Sequence, residues 1–489
     1  MRRALQIHHQ DDVAVALVPL AAGEACEGVV LPGAIPAGHK FALRRIAAGE
    51  AVRKYGLPIG QATAEIEPGA HVHTHNLRTR LSGQECYCYA PDVAPLAPLA
   101  PDTFDGYPRA DGRAGVRNEL WILPTVGCVN DVARALERKA QALVGGAVEG
   151  AYAFPHPYGC SQMSEDQENT RRILADLAAH PNAGGVLVLG LGCENSGVAE
   201  IRARMGAFDG SRVRFLVCQD SADELAEGFA LLRELADRMR ADRREPIPAS
   251  RLIVGLKCGG SDGLSGVTAN PVIGAYSDLL VAQGGGTILT EVPEMFGAET
   301  LLMARCASEA VFRRTVELIN GFKRYYEENR QVVYENPSPG NKAGGITTLE
   351  EKALGCTQKS GSAPVSDVLA YGARAGGGGL SLLCAPGNDL VASTALAAAG
   401  AQIVLFSTGR GTPFACPVPT VKISSNTPLA ERKPGWIDFD AGALLLDGDR
   451  AACADRLRRL VLAIASGKHT RAEENGYHDL AIFKTGVTL

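Results

Sequence analysis

The chain has 489 residues, of which 46% are hydrophobic and 21% are charged, and its formal net charge is −5 at pH 7. This length and apolar content are typical of a globular protein of two or three domains. The mildly acidic balance and the aromatic content of 6% argue against a nucleic-acid partner, which requires a basic field and stacking side chains. The sequence shows no signal-peptide pattern and no apolar stretch long enough for a bilayer, so we expect a cytoplasmic protein with no membrane partner. Its 13 cysteines are then expected as free thiols or metal ligands.

Residues 1–89 are predicted to form a small β module built from a repeated unit. The segments 35–41, 46–52 and 66–72 each join a hydrophobic residue, a short turn with glycine and a second hydrophobic residue. Residues 90–115 follow and are rich in proline, which removes amide donors and favours extended backbone. We interpret this stretch as an interdomain linker.

Apolar runs alternate with helix-like segments through the remainder of the chain. These runs lie at residues 120–123, 185–189, 213–217, 252–256, 287–290, 380–383 and 403–406. Runs of this kind suit strands that are buried on both faces of a parallel sheet. We predict the α/β fold class, with a middle domain at 116–248 and a C-terminal domain at 249–489, divided at a proline-containing break.

Four cysteines beside glycine follow predicted strands, namely Cys128, Cys160, Cys193 and Cys258. Because ligands bind at the carboxyl edge of a parallel sheet, we expect these loops to face a common cleft. As a set, the thiols could hold Fe²⁺ or an iron–sulfur cluster, although no CxxC spacing supports the cluster. Taken singly, each cysteine is better explained as a small residue packed at a tight turn.

Carboxylates near the same loops are better ligands for a hard metal ion than these thiols. A divalent ion that binds a hydroxy acid favours carboxylate oxygens and leaves positions open for the substrate. Capping of the following helix is an equally good explanation for Glu291 or Glu294 alone. The predicted metal ligands are Glu194, Cys193, Cys258, Asp262, Glu291 and Glu294.

Three histidines alternate at positions 71, 73 and 75. Side chains two residues apart share one face of a strand, so His71, His73 and His75 can converge on a metal or an anion. The alternative is a strand end with a half-solvated face.

Two later loops suit anions. Residues 336–345 contain Asn341 and Lys342 among prolines and glycines, and residues 406–413 place Arg410 between glycines. Arginine recognises a carboxylate in bidentate fashion, and lysine can serve as a charge or a base. Neither loop has the Walker A order, and no strand leads into G-x-G-x-x-G, which disfavours a nicotinamide cofactor.

The chain resembles the altronate/galactarate dehydratase family over essentially its whole length. The landmarks are the four cysteine loops and residues 38–43, 54–60, 115–120, 291–299, 335–348 and 483–489. The resemblance implies an N-terminal SAF-type β-clip module, a middle domain used in dimerisation and a C-terminal Rossmann-like parallel-sheet domain with a divalent metal. It also implies iron-dependent dehydration of a sugar acid, so we expect Fe²⁺, with Mn²⁺ as the alternative, a small-molecule sugar acid as substrate, and a homodimer.

We therefore predict a hydro-lyase that converts D-altronate to 2-dehydro-3-deoxy-D-gluconate. The alternatives are a dehydratase of galactarate or of another aldonate or aldarate, a sulfolactate sulfo-lyase, and a non-catalytic sugar-acid-binding protein. Acid–base catalysis is assigned to His71, His73 and Lys342. Substrate binding is assigned to Arg410, Asn341, Asn388 and His75.

Overall fold

The computed structural model describes residues 2–334 and 336–488, so Glu335 and Leu489 of the landmark segments lie outside the described residues. Three parts follow one another along the chain: a β module, a small α/β domain and a large α/β domain. Within the described ranges, no helix combines the length and the apolar composition needed to cross a lipid bilayer.

The N-terminal module is built from short antiparallel strands. They are β1 (Ala4–Leu5), β2 (Val13–Ala16), β3 (Ala25–Cys26), β4 (Val29–Val30), β5 (Lys40–Ala42), β6 (Ala51–Lys54), β7 (Leu57–Ala62), β8 (His71–Val72) and β9 (Leu77–Arg78). The main sheet has the order β1-β2-β5-β8, and β6-β7-β9 forms a second sheet. Two copies of the repeated unit pair directly, because Phe41 of β5 lies opposite His71 of β8.

The middle domain contains a parallel four-stranded sheet of order β13-β12-β14-β15. The strands of this region are β10 (Thr103–Pro108), β11 (Ala114–Gly115), β12 (Glu119–Pro124), β13 (Gly150–Ala153), β14 (Ala183–Gly190), β15 (Val213–Val217) and β16 (Glu245–Pro248). Its helices are α1 (Asn130–Ala140), α2 (Ser164–Ala178), α3 (Val198–Met205) and α4 (Glu224–Met239). All residues of β12 and β14 are buried, as expected for strands covered by helices on both faces.

The structure corrects the interpretation of residues 90–115 as a linker. β10 and β11 fall within this stretch and form a three-stranded antiparallel sheet with β16. The extended part before them lies on the C-terminal domain, where Asp92 N donates to Ala304 O at 2.7 Å and Leu99 N donates to Ala282 O at 2.8 Å. Prolines remove only their own donors, so the intervening amides remain free to bond to a neighbouring backbone.

The C-terminal domain is a seven-stranded parallel sheet of order β19-β20-β18-β17-β21-β22-β23. Its strands are β17 (Ile253–Cys258), β18 (Gly286–Leu289), β19 (Val365–Leu369), β20 (Gly379–Leu383), β21 (Ile403–Thr408), β22 (Thr420–Ser424) and β23 (Phe439–Asp440). Its helices are α5 (Ala269–Ala282), α6 (Glu299–Ala304), α7 (Glu309–Glu328), α8 (Pro339–Ala343), α9 (Leu349–Cys356), α10 (Asp389–Ala398), α11 (Thr427–Arg432), α12 (Leu444–Asp447), α13 (Arg450–Ala465) and α14 (Arg471–Glu474). The strand order reverses between β17 and β21, and open α/β sheets bind ligands at such a point.

A buried ionic bridge joins the N-terminal module to the C-terminal domain. Glu351 of α9 accepts from Lys40 Nζ at 2.7 Å and from Lys54 Nζ at 2.8 Å, and all three side chains are at most 1% exposed. Burial acts to raise the pKa of Glu351, but the charges of Lys40 and Lys54 outweigh it and lower this pKa to about 2. The bridge therefore consists of one carboxylate and two ammonium groups. Burial of these charges is costly unless the opposite charges lie beside them.

Glycines bring the two backbones into contact beside this bridge. A Cβ atom at Gly263 would lie 1.9 Å from Gly38 O, and one at Gly345 would lie 2.3 Å from the same oxygen. Any side chain at these positions would push the module away, so the domain boundary depends on glycine there.

Replacement of Glu351 by alanine tests the bridge. Glu351→Ala leaves Lys40 and Lys54 buried without a counter-charge, which should lower the free energy of unfolding by about 3–5 kcal/mol in urea denaturation. The wild-type contribution should be complete above about pH 4.5 and disappear as the pH falls towards 2, because the folded-state pKa lies below the ordinary value. The control is Glu309→Ala, which breaks an exposed pair with Arg313 and should cost less than about 0.5 kcal/mol. Equal losses in the two variants would contradict this account.

Candidate active site

Four histidines of the N-terminal module form one cluster, which we call the histidine cluster: His39, His71, His73 and His75. His39 Nδ1 lies 3.0 Å from His71 Nε2, and the ring of His73 lies 5.0 Å from that of His39. The ring of His75, which is exposed, lies 5.5 Å from that of His71. The structure thus brings the three alternating histidines together and adds His39. The repeat could have revealed His39, since the copy of the unit that contains it pairs with the copy that contains His71.

The histidine cluster lies against residues 338–348 of the C-terminal domain. His39 Nε2 is 3.3 Å from Ala343 O, and His73 Nδ1 is 2.9 Å from Thr347 Oγ1. Lys40 Nζ donates to the same Thr347 hydroxyl at 2.6 Å. Lys342 belongs to this segment and is partly buried. A site assembled here therefore takes side chains from both domains.

Both central histidines are held neutral. Burial, together with the neighbouring histidines and Lys40, lowers the pKa of His71 to about 4. Burial and the charge of Lys40 lower the pKa of His73 to about 4 as well. At neutral pH each ring therefore carries one N–H and one free lone pair.

The hydrogen bonds assign the proton of each ring. A carbonyl oxygen only accepts, so His39 donates from Nε2 to Ala343 and its Nδ1 accepts from His71 Nε2–H. His71 then has its lone pair on Nδ1. The Thr347 hydroxyl accepts from Lys40 and donates to His73 Nδ1, which leaves the proton of His73 on Nε2. The cluster thus offers a proton acceptor on His71 and a donor on His73.

The residues assigned to substrate binding differ in the hydrogen bonds that their side chains make within the protein. Arg410, two residues after β21, is exposed and its Nη1 donates to Gly340 O at 3.4 Å, so it borders the segment that carries Lys342. Asn341 is buried in the first turn of α8, where its Oδ1 accepts from Ser338 N at 3.1 Å and its Nδ2 donates to Ser261 O at 2.8 Å, so both ends of its amide are bonded within the protein. Asn388 caps α10 through its Oδ1, which accepts from Leu390 N at 3.1 Å.

A second group, which we call the thiol–carboxylate cluster, is buried at the ends of β17 and β18. Cys258 Sγ donates to Glu294 Oε2 at 2.9 Å and lies 3.4 Å from Cys356 Sγ. Lysines surround the cluster: Lys359 Nζ is 2.9 Å from Cys258 Sγ, Lys352 pairs with Glu294 at 2.7 Å, and Lys257 pairs with Glu291. Sequence reasoning missed Cys356 because it ends a helix, away from any predicted strand end.

The thiol–carboxylate cluster has a donor set that fits a metal ion. One ligand atom each from Cys258, Glu294 and Cys356 lies within 4.8 Å of the others, and this is the single compact group of its kind among the described residues. Two sulfur donors and one carboxylate suit a borderline divalent ion such as Fe²⁺. All three residues are buried, which is typical of a closed site.

The structure distributes the six residues predicted as metal ligands over two sheets. Cys193 and Glu194 belong to the sheet of the middle domain, whereas Cys258, Glu291 and Glu294 belong to the C-terminal sheet. The Glu194 carboxylate accepts from Thr125 Oγ1 at 2.6 Å and Gly192 N at 2.6 Å. The Asp262 carboxylate is likewise bound within its own loops. It accepts from Ser265 Oγ at 2.8 Å, Ser425 Oγ at 2.8 Å and Asn426 Nδ2 at 3.1 Å.

Histidine titration tests the protonation states on which this geometry depends. In NMR spectra of the labelled protein, His71 and His73 should remain neutral from pH 8 to about pH 5 and protonate near pH 4, because burial disfavours their charged forms. In urea-unfolded protein both should titrate near the ordinary value of about 6.5. Titration of the folded rings near 6.5 would contradict the assignment.

Comparison with known proteins covers all three parts of the chain. Residues 249–488 match the family described as D-galactarate/Altronate dehydratase, C-terminal, and residues 106–240 match D-galactarate dehydratase/Altronate hydrolase, second domain. Residues 2–80 match the Altronate/galactarate dehydratase SAF domain.

Curated relatives match the chain from end to end. It is 53% identical to altronate dehydratase of Escherichia coli K12, with 99% of each chain covered, and 51% identical to altronate dehydratase of Bacillus subtilis 168, with 100% of each chain covered. Galactarate dehydratase (L-threo-forming) of Escherichia coli K12 is 34% identical, with 98% of this chain and 96% of the relative covered. The chain therefore belongs to the altronate/galactarate dehydratase family and is an enzyme of the hydro-lyase class.

Proposed function

We propose that this enzyme removes water from a sugar acid, and that its substrate is D-altronate, which it converts to 2-dehydro-3-deoxy-D-gluconate. The observation that carries the proposal is the neutral histidine pair held against segment 338–348 of the C-terminal domain. The choice of D-altronate is supported by identities of 53% and 51% with two altronate dehydratases, against 34% with a galactarate dehydratase.

Dehydration requires the loss of a weakly acidic C2 proton and of a poor leaving group from C3. His71 accepts the C2 proton on Nδ1, which carries the lone pair in the assigned tautomer. His73 presents Nε2–H to the departing C3 hydroxyl. The C3 hydroxyl leaves as water with the Nε2 proton of His73, which regains a proton at Nδ1 from Lys40 through the Thr347 hydroxyl. The C2 proton remains on His71, and the resulting enol tautomerises to the keto acid.

Cations beside the histidine cluster stabilise the charge that develops on the substrate. As C2 loses its proton, negative charge moves onto the substrate carboxylate. Arg410 grips this carboxylate through its guanidinium group, and Lys342 adds a second positive charge from the same segment. The remaining amide of Asn388 and the exposed ring of His75 are left to bind the hydroxyl groups of the sugar acid.

We also propose that Fe²⁺, or alternatively Mn²⁺, is held by Cys258, Glu294 and Cys356, with Glu291 beside them. Such an ion supplies Lewis-acid chemistry when it is bound. The residues themselves fix the loops that follow β17 and β18, next to the point where the strand order reverses. Lys352 and Glu351 are consecutive in α9, so the thiol–carboxylate cluster and the ionic bridge are set by one helix.

A substrate comparison tests the activity. Purified enzyme supplied with Fe²⁺ under reducing conditions should form keto acid from D-altronate with a kcat/KM at least about tenfold higher than from galactarate, which corresponds to about 1.4 kcal/mol of discrimination. Sulfite release from sulfolactate should be absent. Sulfite release without keto-acid formation from either sugar acid would favour a sulfo-lyase, and binding without turnover would favour a non-catalytic protein.

Substitution of the central histidines tests their roles. His71→Ala and His73→Ala should each lower kcat by about 10² or more, since loss of a positioned acid–base group has an effect of this size. Their unfolding curves should stay close to that of the wild type. The matched control is His9→Ala in the same module, where the side chain is exposed and turnover should be unchanged. If His73→Ala kept wild-type kcat, the proton donor would have to be sought elsewhere.

Removal of a thiol tests the proposed ion. Chelator should abolish activity, and Fe²⁺ or Mn²⁺ added anaerobically should restore it. Cys258→Ser and Cys356→Ser should each lower the amount of bound Mn²⁺ at least about tenfold, because each loses a thiolate ligand. Cys306→Ser, another buried cysteine outside the cluster, should bind like the wild type. Full activity of metal-free protein would overturn this assignment.

A further inference from the structure

Three Gly-Cys dipeptides lie at the carboxyl edge of the middle-domain sheet and have no part in the proposed chemistry. Cys128 follows β12, Cys160 follows β13 and Cys193 follows β14, and each is preceded directly by glycine. β12 lies between the other two strands, and the strand order reverses between β12 and β14. All three thiols are exposed. We call Cys128, Cys160 and Cys193 the three-cysteine cluster.

The loops that carry these cysteines are bonded to one another in all three pairings. Gly127 N donates to Tyr158 O at 2.9 Å, which joins the first loop to the second. Ser196 N donates to Gly159 O at 3.0 Å, which joins the third loop to the second. Thr125 Oγ1 donates to Glu194 Oε1 at 2.6 Å, which joins the first loop to the third. Every bond involves a residue within three positions of a cysteine, so the thiols emerge around one small area.

Glycine makes this close packing possible. Gly159 has φ +104°, and a Cβ atom there would lie 2.0 Å from Thr125 O. Gly192 has φ +128°, and a Cβ atom there would lie 2.7 Å from Gln219 Oε1. Ser161, next to Cys160, also has a positive φ of 56°. Unusual backbone at two adjacent loops is a feature of ligand sites, where the surrounding structure imposes it.

The chemistry of the ligand follows from the donors. Three thiols are soft ligands that select iron–sulfur centres, copper(I) or zinc. These thiols do not form a group compact enough for a single ion, since the one such group among the described residues is the thiol–carboxylate cluster. A centre that contains several irons is itself several ångströms wide, so its cysteine ligands can lie farther apart than those of a single ion. Among the thiols' own contacts, Asn195 Oδ1 is 3.6 Å from Cys160 Sγ and Gln219 Nε2 is 3.7 Å from Cys193 Sγ, both distances typical of weak bonds to sulfur.

A fourth cysteine at this edge does not extend the set. Cys218 follows β15 directly and is partly buried. Burial and the charge of Glu224 raise the pKa of Cys218 to about 11, which disfavours the thiolate. Three cysteines therefore remain as ligands, one fewer than the number of irons in a [4Fe–4S] cluster.

We propose that Cys128, Cys160 and Cys193 bind a [4Fe–4S] cluster in which one iron has no cysteine ligand. An iron of this kind is open to a hydroxyl or carboxylate oxygen of a small molecule. The proposal stands on the middle domain alone and is independent of the activity proposed above.

Acid-labile sulfide distinguishes this centre from a mononuclear ion. Full-length protein purified and reconstituted without oxygen should contain about four sulfides and at least four irons per chain, with the visible absorption of a cluster. Cys128→Ser, Cys160→Ser and Cys193→Ser should each lose most of the sulfide. Cys86→Ser and Cys88→Ser alter exposed cysteines outside the three-cysteine cluster and should retain the sulfide. Cys258→Ser affects only the thiol–carboxylate cluster and should retain the sulfide as well.

Thiol alkylation of the wild type gives a readout that does not depend on variants. Iodoacetamide should label Cys128, Cys160 and Cys193 in the cluster-free protein and not in the reconstituted protein, while Cys86 and Cys88 react in both. Absence of sulfide after reconstitution, full sulfide in the three folded serine variants, or equal labelling in both states would each overturn the proposal. Because neither readout measures dehydration, failure of the proposed activity would leave this result interpretable.

Discussion

The arrangement of the candidate active site depends on the buried bridge between Glu351 and the two lysines Lys40 and Lys54. Charges at most 1% exposed are costly alone, so the N-terminal module and the C-terminal domain can bury them only in each other's presence. Lys40 also donates to Thr347, which in turn contacts His73. One set of contacts therefore fixes the position of the module and the orientation of a histidine in it.

This dependence explains how a small β module can present histidines to a large α/β domain. The histidines remain neutral because they are partly buried and lie near Lys40, and they are partly buried because the module is docked. Helix α9 extends the coupling inward, since Glu351 meets the module while Lys352 meets Glu294 of the thiol–carboxylate cluster. Loss of docking would alter the protonation of the histidines and the contacts of the buried cluster together.

Much of the architecture could be predicted from local patterns. Each of the apolar runs around residues 120, 186, 215, 254, 288, 381 and 404 is a strand of a parallel sheet. The alternating histidines also lie close together, but only His71 belongs to a strand, and His73 and His75 follow it in a turn. Less apolar or shorter strands such as β13 and β23 carry no comparable signal. Cys356 joins Cys258 only through tertiary packing, and the roles of Asp262 and Asn341 in holding loops depend on partners distant in sequence. The homodimer expected for the middle domain stays a prediction.

The central claim is that substrate binds where the histidine cluster meets residues 338–348. A crystal structure of the His73→Ala variant with D-altronate bound tests it most directly. The account predicts a sugar acid whose carboxylate contacts Arg410 and whose C2 lies within hydrogen-bonding reach, about 3 Å, of His71 Nδ1. A sugar acid bound at the middle-domain edge, with its C2 remote from every histidine of the N-terminal module, would contradict the account.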